Sequence, residues 1–228
     1  MIKAILTDIE GTITRITFVK DILFPYAAAR LPSFVEAHQD DAFVAEQINA
    51  VREEIGSPQA SIDDVIQALL TWIKEDKKIT PLKQLQGLIW QTGYEQGDFK
   101  GHLYPDAMAF LNAQHQAGLA LYVYSSGSVK AQHLLFAYSD FGDIRPLFND
   151  YFDTNVGGKK DPQSYRNIIN ALPVEAAEIL FLSDVVDELD AAKEAGMRTL
   201  QLWRDNQATS PSHPKIEHFE QFNSELLA

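Results

Sequence analysis

The chain has 228 residues, 46 % of them hydrophobic, which suits one domain carrying a large insertion or two small domains. Nineteen basic residues against 32 acidic ones leave a net charge of −13, which argues against nonspecific nucleic-acid binding, since that needs a basic face. There is no cysteine, so disulfides, thiolate nucleophiles and Cys-ligated zinc are all excluded.

Residues 1–9 read as a strand built on the apolar run Ile2-Lys3-Ala4-Ile5-Leu6, leading into Thr7-Asp8-Ile9-Glu10-Gly11-Thr12-Ile13. From about residue 20 to residue 100 the pattern is helical with hardly any strand character. Ser61 and Asp64 have capping-box spacing, and Ile62, Val65, Ile66, Leu69, Leu70 and Ile73 follow at helical intervals to Lys77. Thr80-Pro81 starts another helix, with Gly93 and Gly97 punctuating its end.

From Pro105 the rhythm changes to alternation. Pro105 to Ala117 is a helix with Gly118 as its stop, Leu119 to Tyr124 a strand, and Val129 to Tyr138 a helix. Tyr151 to Thr154 reads as a short strand, Ser164 to Leu172 as a helix and Ile179 to Leu182 as a strand. Val186 to Ala195 is a helix closed by Gly196, and Arg198 to Trp203 is the last strand. Residues 205–214 are a polar loop, and the tail beyond is expected to be weakly ordered. Strand and helix in alternation imply a parallel sheet covered on both faces. The expected fold is α/β: a doubly wound parallel-sheet core, residues 1–14 plus 101–228, with a helical cap of residues 15–100 inserted after the first strand.

In an open parallel sheet, ligands bind beyond the carboxyl ends of the strands. Four segments place polar residues there: Asp8 and Glu10, then Ser125 and Ser126, then Lys159 and Lys160, then Asp184 with Asp187 and Glu188. Gly11 allows a tight turn, and Thr12 adds a hydroxyl. Acids, hydroxyl, lysine and acids suit phosphoryl transfer. A carboxylate can attack phosphorus and split one hard displacement into two easier ones. A second acid can protonate the leaving alcohol and later activate water. Magnesium prefers carboxylates, waters and phosphate oxygens, and a hydroxyl and an ammonium can hold the remaining phosphoryl oxygens.

Singly, each segment has an ordinary explanation. Ser125 to Ser128 can simply cap a helix, a lysine in a glycine loop is usually solvated, and Asp184 to Asp190 can be an acidic first turn. What points to chemistry is their occurrence together, in this order. The six histidines show no zinc pattern, and Trp72, Trp90 and Trp203 sit in apolar surroundings as core residues.

These motifs resemble those of the haloacid-dehalogenase-like phosphatases. Asp-Ile-Glu-Gly-Thr at 8–12, Tyr-Ser-Ser-Gly-Ser-Val at 124–129, Tyr-Phe-Asp-Thr at 151–154 and Phe-Leu-Ser-Asp-Val at 181–185 are similar, more narrowly, to the bifunctional enolase-phosphatases (acireductone synthases) of methionine salvage. The resemblance implies a HAD-like, Rossmann-like fold and a substrate, 2,3-diketo-5-methylthiopentyl 1-phosphate, which is enolised and then dephosphorylated with Mg2+ as cofactor. It implies Asp8 as nucleophile and metal ligand, Glu10 as acid/base and metal ligand, and Asp184 as a further metal ligand. Ser125 and Ser126 would bind substrate, Lys159 would serve both substrate binding and catalysis, and Gly11, Thr12 and Glu188 would support the site. The family's Gly-x-Lys pattern favours Lys159 over Lys160, and spacing favours Glu188 over Asp187. Glu10, Glu54 and His102 are open candidates for the enolisation base.

Rival readings are a plain phosphomonoesterase, a dehalogenase with the same nucleophile and no magnesium, and a noncatalytic phosphate-ligand-binding protein. The first strand follows no basic leader and no apolar run is long enough to span a bilayer, so a cytoplasmic protein with no membrane partner is expected; the family resemblance implies a monomer.

Overall fold

The computed structural model describes residues 1–204 and 207–223. Part of the expected polar loop, and the last residues of the expected weakly ordered tail, therefore lie outside the described residues. The chain divides into two compact units, Thr17–Lys100 and, together, Met1–Ile16 with the chain from Gly101 onward.

The second-named unit is built on a sheet of β1 (Ala4–Thr7), β2 (Ala120–Tyr124), β3 (Asp150–Phe152), β4 (Ile179–Ser183), β5 (Arg198–Leu202) and β6 (Lys215–Ile216). All neighbours are parallel, in the order β3-β2-β1-β4-β5-β6. The order reverses at β1, which creates a crevice between the carboxyl ends of β1 and β4, where doubly wound folds bind ligands. β1, β4 and most of β2 are buried, as their continuous apolar runs require of strands covered on both faces. Ala4, Leu6, Tyr122, Tyr124, Ile179 and Phe181 pack from one face of the sheet onto Tyr165, Ile168, Leu189 and Ala192. The latter belong to α8 (Pro162–Ala171) and α9 (Val186–Glu194).

The unit Thr17–Lys100 is helical. α1 (Ile16–Phe18) runs through a π-turn at Val19–Leu23 into α2 (Phe24–His38), followed by α3 (Ala42–Glu54), α4 (Ile62–Lys74) and α5 (Thr80–Gln96). The Ser61–Asp64 capping box forms: the Asp64 amide donates to Ser61 Oγ at 3.2 Å, and the Ser61 amide to Asp64 Oδ2 at 3.0 Å. Gly97 closes α5 in the left-handed region at φ 75°. Gly93 does not end the helix. It sits inside α5, where a Cβ would lie 2.6 Å from the Phe99 ring and 2.7 Å from that of Tyr26.

Between β1 and β6 the sheet unit also contains α6 (Pro105–Gln116) and α7 (Val129–Ala137). α8 begins two residues ahead of the expected Ser164, because Asp161 accepts from the Gln163 amide at 2.9 Å and Pro162 occupies the first turn. β6 was not expected at all. Its two residues carry no period and pair with Gln201 and Leu202 only through tertiary contact.

Candidate active site

Register decides which residues meet. Thr7 pairs with Val123 on one side and with Leu182 on the other. The next residues, Asp8, Tyr124 and Ser183, therefore stand level, and Ser125 and Asp184 follow one step on. The Asp8 amide still donates to the Leu182 carbonyl at 2.9 Å, which holds the aspartate at the sheet's edge after its strand has ended.

The lysine arrives by a loop held through its main chain. Tyr124 Oη donates to the Gly157 carbonyl at 2.9 Å, Ser164 Oγ to that of Gly158 at 2.8 Å, and Tyr165 Oη to that of Lys159 at 2.7 Å. Gly157 adopts φ 128°, and a methyl group there would overlap the Ser164 hydroxyl. The loop thereby drives the Lys159 side chain inward while Lys160 stays on the surface. Lys159 Nζ donates to Asp8 Oδ1 and lies 2.7 Å from Glu188 Oε2. Lys160 Nζ meets Asp187 at 2.7 Å in an exposed pair.

Charge in this cluster is unbalanced. Burial alone would lower the Lys159 pKa, but Asp8 and Glu188 together hold it above the ordinary lysine range. One ammonium does not neutralise several acids. Burial first, and the Asp8 charge second, push both Asp184 and Glu188 up to about 7. Glu188 is fixed by Ser183 Oγ, which donates to Oε2 at 2.9 Å.

Glu10 faces elsewhere. Its Oε2 accepts from Ser125 Oγ at 3.1 Å, and its pKa is raised by burial and then by Asp8. Ser125 Oγ also accepts from the Gly127 amide at 3.1 Å, and Ser126 stands half-buried beside it. Thr12 Oγ1 lies 3.4 Å from Asp8 Oδ2. Gly11 turns at φ 80° directly against the Asp184 carboxylate, leaving no room for a side chain.

Asp8, Lys159, Asp184 and Glu188 thus form one buried cluster, with Glu10 and Ser125 as a pair beside it. The carboxylate oxygens of Asp8, Glu10 and Asp184 do not all come within 4.8 Å of one another; among the described residues that spacing occurs at Asp106, His218 and Glu220. Sequence reasoning missed Tyr165 and Gln201, since nothing marks a helix tyrosine or a strand glutamine as different from core. Gln201 Nε2 donates to the Asp184 carbonyl at 3.0 Å.

The chain matches the haloacid dehalogenase-like hydrolase family over residues 2–196. It is 53 % identical over 223 residues to enolase-phosphatase E1 of Serratia proteamaculans, covering 98 % of this chain and 97 % of that one. The chain belongs to the haloacid dehalogenase-like hydrolases and, within them, to the enolase-phosphatase E1 family. Enolase-phosphatase E1 of Pseudomonas fluorescens is 56 % identical over 204 residues, 90 % of each chain. Among solved structures, the UTR4 protein of Saccharomyces cerevisiae superposes with a TM-score of 0.79 at 35 % identity, over 97 % of this chain and all of that one. No described helix is long and apolar enough to cross a membrane.

Proposed function

We propose that this chain is a Mg2+-dependent enolase-phosphatase that enolises 2,3-diketo-5-methylthiopentyl 1-phosphate and then removes its phosphate in methionine salvage. The observation that carries the reading is the meeting of Asp8 and Lys159 with Asp184, whose buried Oδ1 has no hydrogen-bond partner among the described residues. A buried carboxylate oxygen left unpaired beside a second carboxylate is a costly arrangement without a cation, and oxygen donors of this kind suit Mg2+.

Asp8 and Asp184 would hold the ion through their carboxylates. Glu10 would contribute its main-chain carbonyl: in the turn from Ile9 to Thr14 the Ile9 carbonyl accepts three amides, and that of Glu10 accepts none among the described residues. Bound there, Mg2+ would neutralise the acids and polarise a phosphoryl oxygen.

The remaining steps belong to side chains. Glu10 takes the carbon-bound proton beside the substrate carbonyl, giving the enolate, whose oxygen takes a proton from solvent to complete the enol while Glu10 stays protonated. Asp8 then attacks phosphorus, forming an aspartyl-phosphate, and the departing alcohol oxygen receives the proton that Glu10 carries. Glu10, again a carboxylate, accepts a proton from the water that hydrolyses the aspartyl-phosphate. The Lys159 ammonium and the hydroxyls of Ser125 and Ser126 hold phosphoryl oxygens as charge builds up. Glu188 keeps Lys159 aimed.

The test is to mix the protein with Mg2+ and the diketone phosphate and follow enol absorbance and phosphate together. Both signals should rise, and Asp8→Asn should end phosphate release. Phosphate from generic monoesters with no enol signal would overturn the enolase half. Preserved release in Asp8→Asn would remove Asp8 as nucleophile. The reading carries with it a cytoplasmic, monomeric enzyme whose partner is a small phosphate ester.

A further inference from the structure

We propose that Arg204 is a positioning residue that clamps the nucleophile's loop. It lies two residues beyond β5, and its side chain is 6 % exposed. Nε donates to the Thr12 carbonyl at 3.0 Å, and Nη2 donates to Asp106 Oδ2 at 2.9 Å. The guanidinium carbon lies 4.0 Å from the centre of the Tyr104 ring and 5.3 Å from that of Phe219. Asp106 is itself fixed, because the Phe219 amide donates to the same Oδ2 at 2.8 Å.

The residues that follow Thr12 are held from the same direction. The Tyr104 amide donates to the Ile13 carbonyl at 2.9 Å, and Thr14 Oγ1 lies 3.0 Å from His102 Nδ1. Thr12 is therefore gripped at its carbonyl by Arg204, while its hydroxyl reaches Asp8 and its neighbour Gly11 abuts Asp184. A displacement of the Thr12 carbonyl is passed to the nucleophile on one side and to the second acid on the other. Only a planar, multi-donor cation can bond a carbonyl and a carboxylate while lying on aromatic faces. A lysine keeps the charge opposite Asp106 but cannot do all three.

The clamp rests on the phosphatase reading for its consequence in turnover, but its mechanical effect can be measured without substrate. In Arg204→Lys, hydrogen exchange at the amides of Gly11, Thr12, Ile13 and Thr14 should accelerate while exchange in α8 stays as in the wild type. kcat for phosphate release should fall about tenfold with KM changed less than about twofold, because misplacement of a reacting group costs rate rather than binding. In Arg204→Ala, millimolar guanidinium, and not sodium chloride, should restore part of that rate. Wild-type exchange at those four amides in Arg204→Lys, or a wild-type kcat, overturns the clamp. Accelerated exchange in a protein whose wild type releases no phosphate from any ester would uphold the clamp and refute the phosphatase reading.

Discussion

Ser125 Oγ donates to Glu10 Oε2 at 3.1 Å, joining residues from the ends of two neighbouring strands. The bond favours the charged carboxylate and opposes the burial and the Asp8 charge that raise the Glu10 pKa. Ser125→Ala should raise that pKa further. If Glu10 must be protonated to release the alcohol, the alkaline limb of the kcat profile should move to higher pH in Ser125→Ala. Glu10→Gln, which cannot exchange a proton, should lose about 10²- to 10⁴-fold in phosphate release and lose enol formation with it. Near-native enolisation by Glu10→Gln, read from enol absorbance, would dismiss Glu10 as the base.

Adjacent lysines should behave in opposite ways. Lys160 pairs with Asp187 where both side chains are well exposed, 68 % and 63 %, and Lys160→Ala should leave the unfolding midpoint close to that of the wild type and turnover intact. Lys159→Ala removes the ammonium shared by Asp8 and Glu188 and should abolish phosphate release. Its thermal midpoint should drop most at alkaline pH, where the acids left behind are charged. Phosphate assays and thermal melts of the two variants, run together, check both halves.

That contrast shows where the sequence was legible. The strand-then-acid pattern at Asp8 and Asp184 marked the sheet's edge, because apolar runs followed by polar residues are one-dimensional signals. The choice between Lys159 and Lys160 depended on which way a loop turns, and hydroxyls from Tyr124 of β2 and from Ser164 and Tyr165 of α8 set that turn. Arg204 was silent for the same reason, since its partners Thr12 and Asp106 lie 192 and 98 residues away. Gly93 looked like a helix stop because glycine usually is one; here the Tyr26 and Phe99 rings exclude a side chain. Two-residue β6 is too short to have a pattern.

Metal-free protein should lose stability as pH rises. The Asp184 carboxyl, raised from 3.8 to about 7, binds its proton more tightly folded than unfolded. Its contribution is fully present below the unfolded value and is lost as pH climbs through about 7. Glu188, raised from 4.5 to about 7, acts in the same direction. A bound cation reverses the penalty, because it favours the ionised acids and must displace their protons. The rise in thermal midpoint on adding Mg2+ should therefore be larger at pH 8 than at pH 6. Asp184→Asn should flatten the metal-free slope between those values and remove most of the Mg2+ response. An equal Mg2+ response at both pH values would separate these acids from the ion.

Gly11→Ala tests how closely the turn is fitted to the second acid. The position sits at φ 80°, where an L side chain costs roughly 1–2 kcal/mol. The added methyl would also overlap the Asp184 carboxylate, so either the turn or Asp184 must move. Because Gly11 lies between Glu10 and Thr12, a moved turn carries both away from Asp8, and a moved Asp184 breaks the pairing of acids. Urea unfolding should show a loss of at least about 1 kcal/mol, and the Mg2+-induced rise in midpoint should disappear. Gly142→Ala has a similar φ of 83° with nothing within 4 Å, and should show the backbone cost alone with the Mg2+ response retained. A Gly11→Ala protein that matches Gly142→Ala in both measurements would mean that the turn does not set the position of Asp184.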